Sequence, residues 1–165
     1  MKQRQSRILL TILLATCVPL ALAQTDEHES GSDHGETEEL HKNFVGGFIG
    51  GANEGRNFGS VLGLVYERLL GESFGIGVVA EHTYGDLEFA VLAVPFFYRP
   101  GRWRLFIAPG IEDSEVGTES LLRLGAGYAF EVGRLEVVPE FAVDFVNGEE
   151  VFVLGVVIAR DSKGS

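Results

Sequence analysis

Three histidines stand among carboxylates near the amino terminus. His28, His34 and His41 lie in segment 24–43, which also contains seven acidic residues and one lysine. Imidazole and carboxylate groups are ligands for Zn²⁺ and Cu²⁺, so this segment can hold a divalent ion loosely. The histidine spacing matches no closed site, and metal-binding tracts are usually denser in histidine. The pattern therefore favours a solvated segment, with weak divalent-metal capture as the alternative.

A second set of charged residues is scattered through the hydrophobic sequence that follows residue 43. It comprises Glu67, Glu81, Arg104, Glu112, Arg123, Glu140 and Asp144. Buried carboxylates and guanidinium groups must pair with one another, so these residue types predict a structural network of salt bridges. The lining of a cation-preferring channel would use the same types. The secondary structure that carries these residues decides between a salt-bridge network and a channel lining.

No hydrolytic or phosphate-binding signature accompanies these charges. His82 is followed by Thr83 and Tyr84, and no serine after residue 43 lies in a nucleophile-elbow sequence. The glycine-rich run 46–51 is not a phosphate loop, since neither a lysine nor a helix start follows it. The sequence therefore predicts a protein that is not an enzyme and binds no cofactor.

Glycine-centred turns divide the hydrophobic part of the chain at regular intervals. Each polar cluster contains one of the glycines Gly55, Gly71, Gly85, Gly101, Gly117, Gly133 and Gly148. Glycine supplies the positive φ that tight turns need, and the runs of about 10 residues between them are rich in Val, Phe, Tyr and Leu. Seven short turns predict eight antiparallel strands, because such connections cannot carry helical crossovers. Eight such strands close into an up-and-down barrel without exposed edges.

The two faces of the predicted strands indicate whether the outside of the barrel contacts water or lipid. In 122–132 and 135–146, a bulky apolar face alternates with a face of small and charged residues. The small and charged face suits the narrow lumen of an eight-stranded barrel, which leaves no room for a row of phenylalanines. The phenylalanine-bearing face then contacts lipid. Segments 88–98 and 151–159 fit poorly, because both of their faces are apolar, and suggest a partly apolar plug.

The predicted height of the apolar outer face agrees with the apolar band of a transmembrane barrel. Phe74 and Tyr84 lie ten residues apart on the predicted outer face. At a strand tilt near 40° they are separated by roughly 25 Å of height, with an aromatic residue at each interface. We expect His82 to place its amphipathic ring at one of these interfaces.

Residues 44–160 resemble the small outer-membrane β-barrel proteins of the OmpA-transmembrane and OmpX type. The resemblance lies in the strand count, the alternating faces and strands such as RLGAGYAFEVG and LEVVPEFAVDF. It implies an all-β fold, an eight-stranded antiparallel up-and-down transmembrane β-barrel. It also implies outer-membrane lipid and the barrel-assembly machinery as partners, and it says little about activity.

The remaining segments predict export. Lys2, Arg4 and Arg7 precede an apolar run that ends in Ala21-Leu22-Ala23, so we expect residues 1–23 to be a cleaved signal peptide. Segment 24–43 is too polar to bury a core and predicts a disordered acidic arm, and residues 161–165 form a polar tail. The net charge of −11 argues against a nucleic-acid partner.

These features together predict a monomeric protein of the Gram-negative outer membrane with a structural, envelope-integrity role. We expect at most a narrow pore, because side chains about fill the interior of an eight-stranded barrel. The alternative is a soluble periplasmic β-barrel that binds a small apolar ligand against the two-sided apolar strand 88–98.

Overall fold

The computed structural model describes residues 43–161, without the side chain of Asp161. All the regular elements in this range are β-strands. They are β1 Asn43–Glu54, β2 Asn57–Leu69, β3 Phe74–Gly85, β4 in two parts (Phe89–Ala93 and Phe96–Tyr98), β5 Trp103–Ser114, β6 in two parts (Gly117–Tyr128 and Phe130–Val132), β7 Leu135–Val146 and β8 Glu149–Asp161. The predicted signal peptide, nearly all of the acidic arm with its three histidines, and residues 162–165 lie outside the described residues. Residues 43–161 contain no helix long and apolar enough to cross a membrane.

The strands form one closed sheet. Each strand pairs antiparallel with its neighbour in sequence, and β8 closes the sheet against β1 from Phe44 opposite Asp161 to Asn53 opposite Phe152. Closure gives the first and last strands a full set of partners, which removes the unpaired edges of an open sheet. The prediction of an eight-stranded antiparallel barrel is confirmed.

The turns use the chemistry that the glycines predict. All seven turn glycines have positive φ, from 61° at Gly55 to 153° at Gly71. No connection between strands exceeds four residues. Outer-membrane barrels usually have longer loops at one end, so the short hairpins at both ends are a distinctive feature of this barrel. We call the end where β1 begins and β8 ends the terminal end, and the other the distal end.

The two faces of the sheet differ as the alternation predicts. Along β7, Phe141 and Phe145 are exposed on the outer surface, whereas the intervening Ala142 and Asp144 are buried in the lumen. The same alternation places large exposed apolar side chains on all eight strands. A soluble monomer rarely exposes apolar patches beyond a few hundred Å², so a surface of this kind indicates an apolar surrounding medium.

Candidate functional site in the barrel lumen

The terminal half of the lumen contains a salt-bridge network centred on Arg104. Its Nε donates to Glu67 Oε2 at 3.1 Å and its Nη1 donates to Glu140 Oε2 at 2.5 Å. Arg99 extends the network, since it bonds to Glu67 Oε1 at 3.3 Å and to both carboxylate oxygens of Glu136 at 2.6 and 2.7 Å. The network therefore links β2, β5, β7 and the turn after β4.

A second network lies closer to the distal end and is centred on Arg123. Its Nε and Nη2 donate to the two oxygens of Asp144 at 2.6 and 2.8 Å, a bidentate geometry. Its Nη1 donates to Glu81 Oε2 at 2.6 Å. Asp144 is 0% exposed and Arg123 is 3% exposed. At this burial both carboxylates depend on Arg123, because its removal leaves them desolvated and unpaired.

Glycines on neighbouring strands make room for these side chains. Gly127 stands between Arg104 and Glu140 in the sheet, opposite each of them in register, so the guanidinium crosses a strand that has no side chain there. A Cβ on Gly127 would lie 3.0 Å from the Cβ of Glu140. Gly63 is opposite Glu81 in the same way, and a Cβ there would lie 2.5 Å from Glu81 Cγ. The glycines of the inner face therefore set the paths along which the charged side chains extend.

Aromatic rings also lie in the lumen. The sequence predicts that the lumen has no room for a row of phenylalanines along a strand, and individual rings do enter it, since Phe48, Phe89 and Phe97 are at least 93% buried. Phe106 also points inward, and its ring covers Gly125 on the next strand; Phe48 covers Gly155 in the same manner. A ring fits in this narrow interior because the facing residue has no side chain.

The aromatic rings and the first network are in direct contact. The guanidinium carbon of Arg104 lies 4.1 Å from the ring centroid of Phe97 and 5.6 Å from that of Phe106. A cation over a ring face is attracted by the ring quadrupole, and the attraction grows when water is excluded. Arg104 is therefore held both by carboxylates and by aromatic faces.

One side of the lumen contains only apolar side chains. We call this region the apolar wall: Phe48 and Ala52 of β1 with Val151, Val153, Val157 and Ala159 of β8, all buried. Strand β4 also faces inward with Phe89, Val91 and Ala93. Segments 88–98 and 151–159 are therefore apolar on both faces because one face packs in the apolar interior of the lumen and the other faces outward.

The space between the two networks is nearly filled. A cavity of about 10 Å³ lies between the two networks, lined in part by Arg104, Arg123, Glu140 and Phe106. A cavity needs roughly 10–15 Å³ to hold one water molecule, so this cavity has room for no more than one. Packed side chains rather than a continuous passage thus occupy the space between the networks.

The structure brings together six of the seven charged residues that the sequence singles out. Glu67, Arg104 and Glu140 form one network, whereas Glu81, Arg123 and Asp144 form the other. Glu112 stands apart near the distal end, where its Oε2 is buried without a hydrogen-bond partner among residues 43–161.

Sequence reasoning missed two members, Arg99 and Glu136. Glu136 alternates in step with Glu140 and Asp144, so the two-residue period could have included it. Arg99 follows the last residue of β4 in step with the inward-facing Ala93 and Phe97, so the same period continued past the strand could have included it.

Aromatic residues form a belt on the outer surface at the terminal end. The ring centroids of Phe74 and Tyr98 are 5.2 Å apart, and those of Trp103 and Tyr128 are 5.3 Å apart. Such belts are typical of the level where a barrel passes from hydrocarbon to headgroups. Towards the distal end, His82 contacts Tyr84 edge-on at 4.3 Å between centroids. Among the described residues, no group of three or more His, Cys, Asp or Glu side chains is placed to hold a metal ion.

Comparison with known proteins supports the fold. No family model and no curated protein sequence matches the chain. The N-terminal β-barrel domain of Pseudomonas aeruginosa OprF matches with a TM-score of 0.55 at 11% identity, over 74% of this chain and 99% of that domain. The Yersinia pestis outer membrane protein Ail in a phospholipid bilayer nanodisc matches with a TM-score of 0.48 at 14% identity, over 73% of this chain and 99% of Ail. The architectural resemblance to the small outer-membrane β-barrels is confirmed, and at these identities the likeness concerns the fold alone.

Proposed function

We propose that this protein is a non-enzymatic structural component of the Gram-negative outer membrane, a monomeric barrel with its termini in the periplasm and a closed lumen. The observation that carries the proposal is the nearly filled space between the two salt-bridge networks. Two salt-bridge networks and the apolar core occupy the lumen, and the cavity between the networks has room for one water molecule at most. A barrel of this kind contributes a rigid, lipid-embedded body to the envelope rather than a route for solutes.

The outer surface supports the membrane part of the proposal. Leu64, Phe74 and Leu154 are each more than 60% exposed, although they lie in the middle or at the ends of well-formed strands. Contact with hydrocarbon chains would cover such side chains, whereas water would not. In this proposal residues 1–23 direct export and the barrel-assembly machinery inserts the chain.

Conductance across a planar bilayer tests the closed lumen. We expect the folded protein to show no steady conductance, because the two networks block the path. In the matched triple variant Glu81→Ala/Arg123→Ala/Asp144→Ala, which removes one whole network without leaving a member unpaired, the Arg104 network remains and should still block conductance. Steady cation-selective conductance of the unmodified protein would contradict the closed lumen.

Membrane residence is tested separately, by fractionation and by electrophoresis of boiled and unboiled samples. A heat-modifiable band in the outer-membrane fraction is the expected result, since a closed barrel resists unfolding by detergent without heat. Release with the periplasm in the absence of detergent would favour the soluble ligand-binding barrel instead.

Weak metal capture by segment 24–43 stays a separate prediction, because His28, His34 and His41 lie outside the described residues. Calorimetric titration of the protein with Zn²⁺ addresses it, with a triple His→Ala variant as the control. Equal heats for the two proteins would end the idea.

A further inference from the structure

The two ends of the barrel differ in charge. At the distal end, each of the four hairpins carries acidic residues within or beside the turn. The charged residues there are Glu54, Arg56, Asp86, Glu88, Glu112, Asp113, Glu115, Glu119, Glu149 and Glu150. Nine of these ten are acidic, so the distal end is strongly negative.

The terminal end is much less negative. Each of its three turns carries or adjoins one exposed arginine, namely Arg68 before the β2–β3 turn, Arg102 in the β4–β5 turn and Arg134 in the β6–β7 turn, and Arg160 is exposed near the end of β8, beside β1. We call these four the terminal-end arginines. Because they occur on every second strand connection, they are distributed around the circumference instead of forming one patch.

Three of the terminal-end arginines lie next to large outward-facing side chains. Arg68 continues the outward-facing column of Leu64 and Tyr66, and Arg160 continues that of Ile158. Arg102 immediately precedes Trp103, which belongs to the aromatic belt. An arginine just beyond lipid-facing residues can lay its stem along hydrocarbon while its guanidinium reaches the headgroup level. Guanidinium groups bind phosphate oxygens with two parallel hydrogen bonds.

The competing charges at this end are few. Glu72 and Glu131 are exposed there, and Asp161 ends β8. Arg99 is already engaged by Glu67 and Glu136 in the lumen. Among the side chains of residues 43–160, no salt bridge involves a terminal-end arginine, since the six observed there belong to Arg99, Arg104 and Arg123.

We propose that the terminal-end arginines form a ring that binds the phosphates of anionic phospholipids in the inner leaflet of the outer membrane. This inference rests on the proposed membrane location with periplasmic termini. The chain as a whole carries a net charge of −11, so an unspecific charge effect would repel anionic lipid. A preference for anionic lipid therefore has to come from the local ring. The ring gives the terminal end a fixed depth in the bilayer.

Trp103 provides a local probe, since it is the single tryptophan of the sequence and lies next to Arg102. The protein is folded into phosphatidylcholine vesicles that contain either brominated phosphatidylglycerol or brominated phosphatidylcholine, and quenching of Trp103 gives the relative binding of the two lipids. We expect phosphatidylglycerol to be preferred about threefold or more at low ionic strength. The ratio of phosphatidylglycerol binding to phosphatidylcholine binding should approach one in about 1 M NaCl, where the Debye length is about 3 Å.

Two matched variants complete the experiment. R68Q/R102Q/R134Q/R160Q should lose the preference, whereas R68K/R102K/R134K/R160K should keep most of it because the charges remain. Should the glutamine variant not fold, the unmodified protein and the lysine variant still decide through their salt dependence. Equal quenching by the two lipids in the folded protein, or a preference that the glutamine variant retains, would overturn the inference. A protein without a heat-modifiable band in vesicles would instead contradict the proposed membrane location.

Discussion

Arg123 and Phe48 are both buried side chains of the barrel lumen, and they are stabilised in different ways. Arg123 depends on three directional hydrogen bonds to Glu81 and Asp144. Phe48 belongs to the apolar wall, where contact with Gly155 and neighbouring valines replaces specific partners. The two charged networks join specific strands across the lumen, because six ion pairs link particular carboxylates to particular guanidinium groups. The apolar wall supplies stabilisation that is not directional and tolerates small changes.

Removal of Arg123 should have the largest effect and would break the charged side. Arg123→Met keeps most of the side-chain volume and leaves Glu81 and Asp144 buried without their partner, so we expect a loss of about 3–5 kcal/mol in the free energy of unfolding. Urea unfolding in phospholipid vesicles measures it. Arg56→Met is the exposed control and should change stability by about 0.5 kcal/mol at most. A loss below about 1 kcal/mol at Arg123 would mean that the network contributes little.

A charge on the outer face tests the assumption that the two faces of β7 contact different media. Phe141 is exposed in the middle of the strand, directly after the buried Glu140. Phe141→Arg should cost about 2–4 kcal/mol in vesicles if this position meets the bilayer midplane, and Tyr84→Arg near an interface only about 0–1 kcal/mol. The same urea titrations compare them. Equal costs at the two depths would argue against a lipid-facing band.

The two glycine–phenylalanine contacts allow the sides of the lumen to be compared directly. Gly125→Ala collides with the ring of Phe106, and Gly155→Ala collides with that of Phe48. Each should destabilise the barrel by about 1–3 kcal/mol through overpacking. Adding Phe48→Leu should restore only part of the loss at Gly155, because the added Cβ would still lie 2.6 Å from the backbone oxygen of Ile49. Adding Phe106→Leu should restore more at Gly125, where the three nearest atoms all belong to the Phe106 ring, although it also removes a ring beside Arg104. Double-mutant cycles with identical coupling at both sites would contradict the distinction.

The smallest expected effect concerns the apolar wall alone. Val157 is 2% exposed in the lumen. Val157→Ala deletes two methyl groups from this packed region and should cost about 1 kcal/mol. Because no charge is involved, the cost should be the same at low and high salt. A loss of unfolding free energy as large as that of Arg123→Met would show that the apolar wall tolerates substitution no better than the salt-bridge network does.

The turns illustrate what could be predicted from the sequence. Positive φ is a local requirement, and glycine within a polar cluster signals it without knowledge of distant residues. All seven turn positions were therefore identifiable, and they fix the strand number. The alternation of faces was equally clear on β6 and β7, where charged and phenylalanine-rich positions differ most. It was unclear on β4 and β8, because hydrophobicity does not distinguish an apolar core from lipid.

The pairing inside the lumen could not be predicted in the same way. Glu81 and Arg123 are separated by 42 residues and lie on strands that are not adjacent, so their contact depends on the curvature of the closed sheet. The alternation along β4 extends to Arg99, but its pairing with both Glu67 and Glu136 depends on the closed sheet. Rings such as Phe106 fit only because Gly125 lies opposite in register.

The sequence by itself thus determined the eight strands, their antiparallel order and the identity of most inward charges, since these follow from turn chemistry and a period of two. The tertiary structure alone decided which charge meets which, that phenylalanines share the lumen with them, and that the space between the two networks is nearly filled. Those outcomes depend on register and closure, which bring together residues that are distant in sequence. The same closure places one arginine at each connection of the terminal end, and so creates a ring from residues that are unremarkable one at a time.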